Sequence, residues 1–200
     1  QRVKGKAVLL VSFELDEIIP HIENEVNLIK EVHPDVVVSA NVRSTIPQPI
    51  IEASKINNLD IIEINCHCRQ EEITSIGCGQ EMLKRPDLVD YICEIVDGAK
   101  SEVSVKIRAN VEGIDTLEIA KAIESAGADY LHLDAMDPNV FDADWKLLEN
   151  VCNNTNIKVI GNNSIDSPQK IRKMYECGVY GFSIARGVIS GTLNFDIANF

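Results

Sequence analysis

Seven short apolar runs rich in β-branched residues punctuate the chain: Ala7 to Ser12, Asp35 to Asn41, Asp60 to Asn65, Val103 to Arg108, Asp129 to Asp134, Ile157 to Gly161 and Tyr180 to Ile184. Between them the apolar positions fall three or four apart, as at Leu117, Ala120, Ile123 and Glu124. The small residues Ala126-Gly127-Ala128 that follow suit a tight helix-to-strand turn. Continuous apolar strands alternating with amphipathic helices predict a parallel sheet buried on both faces. The strands start 23 to 28 residues apart, except for one interval of 43 after position 60. A regular repeat with one long loop predicts a parallel (β/α)8 TIM barrel, with an open doubly wound sheet as the alternative. Seven strands do not close eight, so the expected eighth lies before Gln1. Residues 1–200 then form one domain.

In such a barrel the C-terminal ends of the strands converge on one mouth, which gathers Asn41, Asn65, Arg108, Asp134, Asn162 and the segment Ile184-Ala185-Arg186. Lys106 and Arg108 alternate on one strand and so face the same way. An inward lysine calls for an anion, which a ligand, Glu63 or Asp134 can supply; a Lys106–Asp134 pair is expected in the free protein. The longest loop leaves Asn65 as Cys66-His67-Cys68-Arg69 and passes Gly77-Cys78-Gly79 before a helix opening near Pro86. A thiol there can serve as nucleophile, ligand or proton donor. Continued strand alternation points His67 the opposite way from Cys68, which lies deeper in the loop. A zinc or iron–sulfur reading of Cys66, His67, Cys68 and Cys78 is disfavoured, because the Cys-x-Cys spacing lacks the usual two-residue gap and no second ligand pair follows. No metal is assigned. Cys93, Cys152 and Cys177 lie in helical segments and are given structural roles. Finally, Gly161-Asn162-Asn163-Ser164 and Gly181 to Gly187 each pass from a strand through small residues into a helix, the layout of a backbone phosphate cradle.

Charge narrows the partners. With 19 Lys and Arg against 31 Asp and Glu, the net charge of −12 predicts weak intrinsic affinity for nucleic acid. The apolar runs are far short of a membrane span, and six cysteines without dense spacing suit reduced thiols. A cytoplasmic, membrane-free protein is expected. Homo-oligomerisation stays open.

Taken in order, these motifs resemble the flavin-binding barrel of the dihydrouridine synthases over about residues 35 to 195. Asn65, Cys68, Gly77, Gly79 and Met82-Leu83 stand where that family has its asparagine, cysteine, glycine-rich stretch and leucine pair. Val105 to Arg108 matches its Val-Lys-Ile-Arg strand, and Asn41 replaces its flavin-contacting glutamine. The resemblance implies FMN as cofactor, NAD(P)H as electron donor and a uridine, in tRNA, as substrate. It implies that Cys68 is the proton donor and that Asn65 and Lys106 meet the flavin and the base. Asn162 and Arg186 would flank the FMN phosphate, with Asn163 and Ala185 in the same turns, and Arg108 would reach the substrate. Arg69 replaces the family's proline, Asp134 its flavin-side histidine and Met136 an arginine. The helical C-terminal domain that helps bind tRNA is not visible. Two alternatives remain: a dihydroorotate dehydrogenase-like flavoenzyme, which Glu63-Ile64-Asn65 and Cys68 also resemble, and a barrel that binds a phosphorylated ligand without redox turnover.

Overall fold

The computed structural model describes residues 15–140 and 142–197. Its order is α1 (Leu15–Val32), β1 (Ser39–Val42), α2 (Gln48–Ala53), β2 (Ile61–Cys66), α3 (Glu71–Thr74), a 3₁₀ helix (Gly79–Lys84), α4 (Leu88–Gly98), β3 (Glu102–Arg108), α5 (Thr116–Ser125), β4 (Tyr130–Asp134), α6 (Trp145–Asn154), β5 (Lys158–Asn162), α7 (Pro168–Glu176), β6 (Gly181–Ser183) and α8 (Arg186–Ser190). The six described strands pair in parallel in the order 1-2-3-4-5-6. A doubly wound sheet needs a point where that order reverses; none occurs among the described strands. Each right-handed crossover therefore sets its helix on the same side, and the sheet curls into a half-barrel with the other side inward.

The two faces of the sheet differ in chemistry. On the outer face Ile62, Ile64, Val105, Ile107, Leu131 and Leu133 are buried against the helices. Each large apolar side chain buried there stabilises the fold by about 1.5–3 kcal/mol. Gly161 belongs to this face, where a Cβ would lie 2.7 Å from Met174 Sδ and 3.1 Å from Val179 Cγ1. With the core built between sheet and helices, the inner face carries polar groups. Neighbouring strands place Asn41 beside Glu63, Glu63 beside Ser104, Asn65 beside Lys106, Lys106 beside His132, Arg108 beside Asp134, and Asp134 beside Asn162.

Five predicted strands fall within about two residues of β2 to β6. The one expected at 35–41 forms late, at Ser39–Val42. Val36 and Val37 are exposed in a turn, and pairing begins where Val38 meets the Asp60 carboxylate and the amides of Asp60 and Ile61. The strand expected at 7–12 lies outside the described residues.

Candidate active site

The long loop after β2 is folded back on itself rather than extended. Asn65 Oδ1 accepts from the amides of His67 and Cys68, each at 3.1 Å, and Asn65 Nδ2 donates to Asn41 Oδ1 at 2.7 Å. The amide of Gln80 donates to Cys68 O at 2.8 Å. Gly79 makes that approach feasible: its φ is +63°, and a Cβ would stand 2.2 Å from Cys68 O. Asn41 and Asn65, expected to meet a flavin, thus have their side chains committed to each other and to the loop. Neither is on the wall of the cleft described next.

A cleft of about 920 Å³ opens at the C-terminal ends of β3 to β6, within the range of small-molecule sites. Its wall includes Lys106, Arg108, Asp134, Asn162, Asn163, Ala185 and Arg186, so seven of the sequence-predicted positions converge there. Asn163 and Ser164 have φ of 112° and 53°, which turns the chain sharply at the end of β5. Asn162 Nδ2 is spent on Ser183, at 2.9 Å to O and 2.7 Å to Oγ, so its amide ties β5 to β6. Although the chain carries a net charge of −12, among the described residues the wall holds Arg69, Lys106, Arg108 and Arg186 against the two carboxylates Asp134 and Asp166.

The expected Lys106–Asp134 pair is not formed. Asp134 Oδ2 is 2.5 Å from His67 Nε2 and 3.3 Å from Arg108 Nη2, while Asn163 Nδ2 donates to Oδ1 at 2.7 Å. Arg108, directly across the β3–β4 register, occupies the place that Lys106 was expected to fill. Burial pushes the Asp134 carboxyl up. The hydrogen bonds from His67 and Asn163 and the charges of His67 and Arg108 outweigh it and bring the group down to about 2. Lys106 sits one layer deeper, with Nζ 3.4 Å from His132 Nε2.

His132 was missed by sequence reasoning, and it organises the inner face. Its Nδ1 is 2.8 Å from Glu63 Oε2 and its Nε2 is 2.7 Å from Ser183 Oγ. A lysine ammonium only donates, so Nε2 accepts and the Nδ1–H donates to Glu63. Glu63 also accepts from Asn41 Nδ2 at 2.7 Å and Ser104 Oγ at 3.0 Å. Burial raises the Glu63 carboxyl; the hydrogen bonds from His132 and Asn41 and the Lys106 charge bring it down to about 2.

Cys68 and His67 exchange places relative to expectation. His67, and not Cys68, is on the cleft wall. Cys68 is half-buried beneath it, with Arg43 Nη1 3.9 Å from Sγ. Burial raises the Cys68 thiol, but hydrogen bonds with His67 and Asn65 and the charges of Arg43 and His67 leave it below the ordinary thiol range.

Comparison with known proteins decides the family. The dihydrouridine synthase family model matches residues 20–192. The chain belongs to the dihydrouridine synthase family. It is 37% identical over 141 residues to the uncharacterized protein MJ0144 of Methanocaldococcus jannaschii, an alignment covering 68% of this chain and 53% of that one. It is 28% identical over 147 residues to tRNA-dihydrouridine synthase B of Vibrio vulnificus, covering 69% and 46% respectively. The chain thus spans about half the length of these relatives. Among solved structures, FabK from Thermotoga maritima shares the fold with a TM-score of 0.56 at 13% identity, over 86% of this chain and 46% of that one. Thiamine phosphate pyrophosphorylase from Pyrococcus furiosus does so with a TM-score of 0.53 at 16% identity, over 90% and 75%. As a dihydrouridine synthase family member, the chain departs from the expected motif at Arg69, Asp134 and Met136. All three line the cleft, and Met136 Sδ is 3.3 Å from Arg108 Nη1. No described helix is long and apolar enough to cross a membrane.

Proposed function

We propose that this chain binds FMN in the cleft and reduces a uracil-type double bond, with NAD(P)H as the source of hydride and a uridine in tRNA as substrate. The observation that carries the reading is the concentration of cations on the cleft wall of an acidic chain. An anionic ligand held there has Arg186 and the turns of Asn163, Ser164 and Gly187 at one end and Lys106 and Arg108 at the other. The donors fit the group. Arg108 Nε is buried without a hydrogen-bond partner among the described residues, and such a donor costs about 1–3 kcal/mol unless an acceptor meets it. In the whole protein we expect the arc to close as an eight-stranded barrel.

Bound flavin supplies a hydride to one carbon of the double bond. The chain's own residues do the rest. Arg186 and the turns after β5 and β6 would hold the phosphate, Lys106, beside His132, would meet the flavin ring, and Arg108 would meet the base. The loop after β2 supplies the proton, through Cys68 and its neighbour His67. A second reading draws on the same cations: a small acidic substrate, as in a dihydroorotate dehydrogenase-like enzyme, would satisfy Lys106 and Arg108 without asking an acidic surface to hold RNA.

Calorimetric titration with FMN tests the reading, with binding near one per chain expected. Absence of binding at millimolar FMN overturns it. Turnover of uridine-containing tRNA against dihydroorotate then divides the two substrates.

A further inference from the structure

One polar layer inside the arc has no part in the roles assigned above. Glu63 on β2, His132 on β4 and Ser183 on β6 come from alternate strands and meet across the inner face. Parallel barrels fill such layers mainly with branched apolar side chains. Polar groups taken from water there cost free energy unless each has a partner, and these have them. Glu63 Oε1 accepts from Asn41, and Oε2 accepts from Ser104 Oγ at 3.0 Å and from His132 Nδ1 at 2.8 Å. Ser183 Oγ accepts from Asn162 Nδ2 at 2.7 Å, which leaves its own proton for His132 Nε2, 2.7 Å away.

The order Ser183, His132, Glu63 is that of a nucleophile, a base and its orienting acid. Lys106 argues against that use. Its ammonium lies 3.4 Å from the same Nε2, where it opposes a second proton on the ring, and Ser183 Oγ is already held by Asn162. What the layer offers Lys106 is an uncharged acceptor with a carboxylate behind it. A carboxylate so placed orients a histidine ring and raises the basicity of its far nitrogen, as it does in metal sites. The anions near by are taken: among the described residues Asp134 pairs with His67 and Arg108, and Glu63 with His132. Lys106 therefore has no ion pair of its own, and its charge stays open to the cleft. Ser183 has the nearer share of the single Nε2 lone pair, so the lysine is aimed and not locked.

Resting on the flavin reading above, we propose that His132 is the positioning residue of Lys106: backed by Glu63, its Nε2 aims the ammonium at the ring end of the flavin. Negative charge builds on that ring as it is reduced, and a cation held against it favours the reduced form. A carboxylate in the place of His132 would aim the lysine equally well but would cancel its charge. The neutral ring aims it and leaves the charge for the ligand.

The first measurement needs no ligand. Nuclear magnetic resonance of the full chain with nitrogen-labelled histidine, assigned by the signal lost in His132→Gln, should show His132 at neutral pH as the uncharged Nδ1–H tautomer. Lys106→Met should move its Nε2 resonance. An imidazolium, an Nε2–H tautomer or an unmoved Nε2 resonance overturns the proposal. The second measurement is calorimetry with FMN and with riboflavin, which shares the ring but not the phosphate. His132→Leu should weaken both by about tenfold and lower the midpoint potential of bound FMN. His132→Gln, which keeps an acceptor for the lysine, should recover most of both effects. In a Lys106→Met background His132→Leu should cost nothing more, because its effect passes through the lysine. Equal losses in the two backgrounds, glutamine no better than leucine, or a loss confined to FMN each overturn the proposal. If the leucine variant fails to fold, the resonances of the parent and of Lys106→Met still decide. A chain that takes neither flavin sinks the earlier reading alone, since the hold of His132 on Lys106 is read without ligand.

Discussion

Glu63 is a carboxylate inside the arc with three hydrogen-bond donors around it and a lysine near by, and that environment makes it a source of acid lability. Its folded pKa, about 2, lies below the ordinary 4.5. The stability it contributes is therefore complete above about pH 4.5 and is lost as pH falls toward 2, on the order of 3 kcal/mol in all. Urea unfolding of the parent between pH 2 and 6 should show this limb, and Glu63→Gln should flatten it. Equal slopes for the two proteins would remove the argument. At the other end of the cleft, Arg186→Ala should weaken FMN by about ten- to a hundredfold in calorimetry, since a charge-assisted phosphate contact contributes about 1.5–3 kcal/mol. Single residues were unevenly legible in the sequence. Arg108, Asp134 and Asn162 were found because they end strands, and Lys106 because it alternates with Arg108. His132 was not, although it lies two residues before Asp134 and so, by strand alternation, on the same face.

At the scale of elements, the strands were legible because their apolar runs are short and evenly spaced. The loop between β2 and α4 was not. Its order comes from α3, the 3₁₀ helix and contacts from residues distant in sequence, as where Arg85 Nη1 donates to Thr45 O at 2.6 Å. No local periodicity announces such contacts. Gly79 is the narrowest point of this loop, because the Cys68 carbonyl it passes is backbone and cannot swing away. Gly79→Ala should lower the unfolding free energy by about 1–3 kcal/mol. Gly113→Ala is the control: it shares a positive φ of 77° but has nothing within 4 Å of its added Cβ. Thermal unfolding should therefore rank Gly79→Ala as the more damaging. Equal losses would mean that backbone strain, not the close approach, sets the requirement.

For the molecule as a whole, surface and cleft oppose each other in charge, so a small anion can be drawn to the mouth while a long polyanion is repelled by what surrounds it. This contrast was not legible in the composition, because net charge is an average over residues that folding sorts to different places. The strand order 1-2-3-4-5-6 carries a consequence of another kind. Among the described strands each is joined to its neighbours in sequence and to no distant one, so cooperativity passes along the sheet from neighbour to neighbour and weakens toward whichever strand has least to hold it. β2 and β4 are almost wholly buried and β3 is largely so, whereas β1 and β6 hold no fully buried residue and pair on one side among the described residues. Native-state amide hydrogen exchange should accordingly be slowest in β2 to β4 and grade toward faster exchange at β1 and β6. Uniform protection across the six strands would mean that the arc opens all at once. On the graded outcome, the end of the cleft formed by β6 and Arg186 loosens before the end formed by Lys106 and Arg108, and a ligand would leave by way of its phosphate.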